Sequence, residues 1–208
     1  MHIPNISRHI AISAAMLCLS PIAATAADEK VKADTWTVDT SHSAARFTVR
    51  HMMVSNLAGQ FQKVSGSVRY DGKNLQHASV DATIDATSVN THDDKRDEHL
   101  RGKDFFETDK FPTISFKSKQ VTPAKDGSFK ILGTLTMHGV SRDVTLDAEP
   151  LAPAVKDPWG KTRTGTSASA KINRKDFGIS YDKNMDSGGA MVGDDVKITL
   201  DIELVKGG

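Results

Sequence analysis

Val196-Lys197-Ile198-Thr199-Leu200-Asp201-Ile202-Glu203-Leu204-Val205 is the stretch whose reading decides the fold class. Val196, Ile198, Leu200, Ile202 and Leu204 alternate with Lys197, Thr199, Asp201 and Glu203, the period of two that sends successive side chains to opposite faces of a strand. One face is apolar and the other mostly wet, so the segment predicts a strand with a single buried side. The period returns in Ala78, Val80, Ala82, Ile84 and Ala86, and again in Phe129, Ile131, Leu135 and Met137, with Gly133 in mid-series. Residues 35–39, 43–51, 60–70, 113–121, 142–149 and 165–174 are further candidate strands. Turn chemistry separates them at Asp71-Gly72-Lys73-Asn74, Pro123-Ala124-Lys125-Asp126-Gly127 and His138-Gly139-Val140-Ser141. About eight or nine strands on short connections predict an all-β sandwich or barrel, and the shortage of intervening helices argues against a parallel sheet.

One segment breaks the rhythm. Thr91-His92-Asp93-Asp94 has capping-box form, carboxylates crowd the first turn and Gly102 follows Leu100-Arg101, so residues 92–101 predict a helix inserted after the fourth strand. A shorter helical turn is expected over 52–57. Residues 150–162 and 182–194 read as surface connections. No internal repeat or second domain is visible, and a single domain is expected over 35–206.

The 208 residues are 25% charged and 38% hydrophobic, ordinary for one globular β domain. Lys+Arg of 27 against Asp+Glu of 26 leaves almost no net field to draw the protein to nucleic acid or an acidic membrane surface. Residues 1–26 read differently: Arg8 and His9 lead into an apolar run over 10–19, and Ala24-Thr25-Ala26 forms an A-x-A exit. That is the pattern of a secretory signal peptide, cleaved after Ala26 or Ala27. The run is about half the ~20 residues that span a bilayer, so stable membrane insertion is not expected. Cys18, the only cysteine, lies inside it, and Ala15-Met16-Leu17 before it lack the Leu-small-small pattern of bacterial lipoprotein signals. Cleavage without lipidation would leave no cysteine for disulfides, thiolate metal sites or nucleophilic catalysis.

The order of several motifs resembles the YceI family. They are Trp36-Thr37-Val38-Asp39-Thr40-Ser41-His42-Ser43, Phe47-Thr48-Val49-Arg50-His51, Gly59-Gln60-Phe61, Asn90-Thr91-His92 through Arg96-Asp97-Glu98-His99-Leu100, and Asp104-Phe105-Phe106. Phe111 to Ser118, Gly133 to Val140, Ile172 to Ile179 and Val192 to Val196 complete the series. The resemblance runs from about Trp36 to Val205, and a fixed order is more specific than any one motif. It implies an extended lipocalin-like antiparallel barrel, a periplasmic location, frequent dimers, and a hydrophobic tunnel for polyisoprenoids or other long-chain amphiphiles.

Small residues are consistent with a cavity. Ala78, Ala82, Ala86, Gly133, Ala168 and Ala170 lie on apolar faces where a filled core would want Leu or Ile. Equally, small residues let a twisted sheet bend. Phe47 and Val49 share strand parity with Ala45 and His51, while Arg46, Thr48 and Arg50 face the other way, and period alone does not say which face is inward. Phe47, Val49, Phe61, Ala82, Phe105, Phe106, Phe116, Phe129 and Met137 are the candidate tunnel lining, against ordinary core packing for many of them. His42, Arg46, His51, Arg96 and His99 are candidate head-group contacts, since Arg grips phosphate bidentately and His donates to a quinone or amide oxygen. The same residues also suit hydrogen bonds to loops and helix.

His92, Asp93, Asp94, Asp97 and His99 invite a metal reading, but His92 and His99 are about two turns apart and no H-E-x-x-H pair is present, so capping and solvation are expected instead. No metal or other cofactor is expected. No G-x-S-x-G occurs and no triad is assignable, so no catalytic residue is named. The function expected is a carrier for a long-chain lipid such as a polyisoprenoid, an isoprenoid quinone or a fatty-acid-like amphiphile. The alternatives are an enzyme acting on such a lipid, with His42, His51 or His99 as acid or base, or an accessory module for a membrane redox partner.

Overall fold

The alternating run near the C-terminus becomes the longest strand of a closed sheet. The computed structural model describes residues 33–183 and 190–207; the signal-peptide reading of 1–26 lies outside them. In chain order the elements are β1 (Asp34–Val38), β2 (Ala44–His51), β3 (Ser55–Phe61), β4 (Val64–Tyr70), β5 (Ser79–Asp85), β6 (Val89–Asn90) and α1 (Asp94–Arg101). They continue with β7 (Thr113–Pro123), β8 (Phe129–Met137), β9 (Val140–Ala148), β10 (Val155–Lys156), β11 (Thr162–Asn173) and β12 (Val192–Lys206). Every pairing between them is antiparallel.

Closure rests on β12. One of its edges pairs with β11 from Arg163↔Val205 to Asn173↔Asp195. Its other edge is shared, β1 taking Leu204 to Lys206 and β2 taking Val192 to Asp201. β1 and β2 are thus two halves of one bent strand. β3 and β4 are another such pair, β3 lying on β2 and β4 on β1, while β5 and β6 follow the same split against β4 and β3. With each split strand counted once, the ring is an eight-strand antiparallel barrel in chain order, with β10 as a short flap on β11. The ring closes through every seam, but β9 and β11 meet only at Ala148↔Ala168 and Asp147↔Ser169, its shortest ladder.

Three local expectations are corrected. Residues 60–70 are not one strand: the ladder breaks at Gln62-Lys63, where the chain leaves β2 and β6 and takes β1 and β5 as its partners. Residues 52–57 are not helical. Met52 and Met53 take φ of 48° and 59°, turning the chain sharply enough to pair His51 with Ser55, and the ladder that follows outweighs a single costly helical turn. α1 begins later than the capping-box reading placed it: the Asp93 carboxylate accepts from Arg96 N at 3.0 Å. Because residues 35–70 form four strands and β6 is added, α1 follows β6 rather than a fourth strand.

The hairpin from β8 to β9 is the tightest connection. His138 (φ 51°) and Gly139 (φ 74°) form the two-residue loop between Met137 and Val140, the left-handed pair that matches strand twist. On β8, Phe129, Ile131, Leu135 and Met137 are buried between outward Lys130, Leu132, Thr134 and Thr136. Burying a large apolar side chain stabilises by about 1.5–3 kcal/mol, and such inward faces around the ring supply the core.

Candidate functional site

The inward faces do not meet at the barrel axis. They surround a cavity of about 450 Å³, lined from β2 by Ala45, Phe47 and Val49, from β5 by Val80, Ala82 and Ile84, and from β12 by Val196, Ile198, Leu200 and Ile202. Ile114 and Phe116 of β7, Ile131, Leu135 and Met137 of β8, Val144 and Leu146 of β9, and Ala168 and Ile172 of β11 complete the wall. That volume falls within the ~300–1,000 Å³ common for small-molecule sites.

The small residues contribute in different ways. Ala82 and Ala168 line the cavity, whereas Ala86 and Ala170 are buried core outside its lining. Gly133 does not open space: a Cβ there would lie 2.4 Å from the Phe116 ring, so the glycine is the seat on which that ring rests. Gly59, paired directly with Phe47, does the same for the Phe47 ring, again at 2.4 Å. Two phenyl rings held against the wall keep the centre open, and aromatic cover of a glycine across a strand pair steadies the sheet.

One end of the cavity forms a mouth, built by α1, the segment after it, and the start of β12. Phe106 meets Phe61 edge-on at 5.4 Å between centroids, and Phe61 meets Phe47 at 5.7 Å. Phe105 packs on Tyr181 at 4.9 Å and His99 contacts both rings edge-on. α1 is fixed there by Thr91, whose N–H and hydroxyl both donate to buried Asp97, at 2.8 and 2.5 Å. Arg96 returns to the same residue, donating from Nε to Thr91 Oγ1 at 2.7 Å and from Nη2 to Thr91 O at 2.9 Å.

At the other end lies a smaller apolar void of about 60 Å³ bordered by Trp36, Tyr70, Ala78, Phe129 and Leu204. Burial raises the Tyr70 phenol, helped by the charge of Asp71. Arg163 closes this lower end, donating to Asp39 at 2.6 Å, to Asp157 at 2.7 Å and to Glu203. The guanidinium, with help from His42, holds Asp39 far below the ordinary carboxylate range, and it lowers Asp157 as well.

Of the sequence candidates, Phe47, Val49, Phe61, Ala82, Phe105, Phe106, Phe116 and Met137 lie on the cavity wall. Phe129 borders the lower void only. Arg46, His51, Arg96 and His99 border the cavity, but Arg46 spends its guanidinium on Asp201 and His99 pairs with Asp104 at 2.8 Å. His42 is absent from the wall, because the β1–β2 turn holds it on Asp39 at 3.1 Å. The sequence candidates missed Tyr181, Met191 and Arg174 at the mouth. Arg174 is buried and donates to the carbonyls of Ile179 (2.8 Å), Val192 (3.2 Å) and Gly193 (3.0 Å) and to Asp194 (3.0 Å). The signal available for it was a charged residue ending a long alternating strand beside Phe177-Gly178.

A sequence profile described as the YceI-like domain matches residues 36–204. The chain belongs to the YceI-like family. A YceI-like relative, a UPF0312 protein of Staphylococcus aureus, is 35% identical over 168 residues, 81% of this chain and 95% of that protein. The YCEI protein of Campylobacter jejuni has a solved structure that superposes with a TM-score of 0.65 at 32% identity, over 76% of this chain and 90% of that one. A polyisoprenoid binding domain from Saccharophagus degradans shares the YceI-like fold at 18% identity and a TM-score of 0.61, over 83% of this chain and 98% of that one. In this YceI-like chain the profile match reaches from Trp36, at the lower end, to Leu204, and so takes in both cavity and mouth.

Proposed function

We propose that this protein is an exported, periplasmic carrier for a long-chain apolar lipid: a polyisoprenoid, an isoprenoid quinone or a fatty-acid-like amphiphile held along the barrel axis. The observation that carries the reading is the cavity of about 450 Å³, walled by aliphatic and aromatic side chains, with His51, Arg96, His99 and Arg174 toward its mouth. The polyisoprenoid-binding neighbour of the same fold supports the ligand class. Burying a methylene is worth about 0.8 kcal/mol, while association costs about 4–15 kcal/mol in lost freedom, so a short acid gains too little and a chain of roughly fifteen carbons gains enough. The apolar tail lies inward and its polar end stays at the mouth, near Arg96, His99 and His51.

Solvent extraction of protein purified from its own periplasm, followed by mass measurement, tests this. An unmodified long-chain lipid in stoichiometric amount is the expected result. A chemically altered product accumulating with the protein would favour catalysis, and a lipid-free protein that takes up no long-chain amphiphile would overturn the reading. Intact mass of the same sample checks export: the expected chain begins at Ala27 or Asp28 and carries no acyl group.

A further inference from the structure

The two voids follow one another along the strands. On β12 the lining passes from Ile202 to Leu204, on β11 from Thr166 to Thr164, on β8 from Ile131 to Phe129, and from Val80 near the start of β5 to Ala78 just before that strand. With period two, each step is the next inward position toward the lower end. Val80, Ile131 and Thr166 border both spaces, yet the spaces do not merge. Thr166 donates its hydroxyl proton to the carbonyl of Glu149 at 2.8 Å, so that proton is not free for a polar ligand end.

We propose that Val80, Ile131 and Thr166 form a floor on which the far end of a bound chain stops, so that these three side chains set the ligand's length. This rests on the lipid-carrier reading and adds a specificity device to it. A chain entering at the mouth runs past Phe47, Ala82 and Phe116 and meets the floor, while the void beneath stays outside its reach. The ligand class is therefore an apolar chain of bounded length with its terminal methyl inward. Removing one floor side chain joins the lower void to the cavity, adding space for about two to four more carbons, taking roughly 30 Å³ for a water-sized group.

The test is a competition among saturated fatty alcohols from about twelve to about twenty-four carbons, offered as an equimolar mixture and read by native mass spectrometry. The delipidated wild type should show a sharp upper limit of length. Ile131→Ala should raise that limit by about two to four carbons, and Val80→Ala, a milder change, should raise it in the same direction. Ala78 borders only the lower void, so Ala78→Leu alone should leave the wild-type limit in place. Combined with Ile131→Ala, it should cancel the gain, which general loosening of the barrel would not do. A folded Ile131→Ala or Val80→Ala protein with the wild-type limit would overturn the floor. A wild type that binds all lengths alike would overturn it too while leaving the carrier reading standing, whereas a wild type that binds none of them would remove both.

Discussion

At the lower end of the barrel Arg163 joins three carboxylates, those of Asp39 at the end of β1, Asp157 in the β10–β11 turn and Glu203 on β12. At the mouth Arg174 joins three backbone carbonyls and a single carboxylate, Asp194. Both arginines tie β12 to neighbouring chain, but by different chemistry. Charge holds the sealed end, where nothing has to pass, and its strength depends on which carboxyls are ionised. Carbonyl oxygens take most of the Arg174 donors at the end that a ligand must cross, so that tie depends less on ionised carboxyls than the Arg163 cluster does.

The sharpest way to break this contrast is Arg174→Met. It removes the Arg174 donors to the carbonyls of Ile179, Val192 and Gly193, and a buried acceptor left without its donor costs about 1–3 kcal/mol where water cannot reach it. A total loss of about 3 kcal/mol is expected in urea unfolding. Near-wild-type stability would mean that the mouth is held by something else.

Ala82→Trp should act on binding more than on stability. Ala82 faces the cavity between Gly66 on β4 and Phe116 on β7, so an indole there occupies ligand space. Bound lipid should fall to near zero by native mass spectrometry, with the melting temperature lowered by less than about 4 °C. A packed core would instead lose about 1–3 kcal/mol to overpacking. A variant that melts normally and keeps its lipid would take Ala82 out of the binding path.

How much of this was legible in the sequence depended on whether the deciding contact was local. β12 was legible because one wet face and one dry face leave their period in the chain. The parity of Phe47 and Val49 against Arg46 was legible too, though only closure of the ring shows that the phenylalanine face is inward. The break between residues 35–39 and 43–51 was legible, but that at Gln62-Lys63 was not, because the chain changes partners there through pairings made elsewhere in the sheet. For Gly133 the sequence left cavity and sheet bending open, and neither is its purpose, which is to seat the Phe116 ring of the neighbouring strand. Met52 and Met53 gave no turn signal, as neither is a residue that favours positive φ. Arg174 was named only as the end of a candidate strand, because its burial follows from carbonyls contributed by Ile179, Val192 and Gly193.

Acid should act on the lower end first. Asp39 and Asp157 have folded values below the ordinary carboxylate value of about 3.9, so the unfolded chain binds protons more readily. Their contribution is complete above about pH 4 and disappears as pH falls toward the folded values. Thermal melts from pH 7 downward should therefore hold steady and then drop below about pH 4. In Arg163→Leu, where the cation that depresses both carboxyls is gone, that acid limb should flatten. An unchanged limb would show that carboxylates elsewhere, such as Asp201 on the outer face, govern acid stability.

The smallest expected effect is that of metal removal. Ligand atoms of Asp39, His42 and Glu203 lie within 4.8 Å of one another, a grouping that in isolation suits a cation. Arg163 already neutralises the group, with Nη1 donating both to Asp39 and to Glu203, and a divalent ion would have to displace a guanidinium whose Nε is also held by Asp157. Melts with and without a chelator should therefore coincide, and added zinc should not raise the wild-type melting temperature. The sharper arm is again Arg163→Leu. With the guanidinium removed, two carboxylates and an imidazole face one another uncompensated, and zinc should then stabilise the variant in a way that a chelator reverses. If zinc stabilises the wild type as strongly as the variant, the arginine does not hold the site and the lower end is a metal clasp instead of a salt-bridged one.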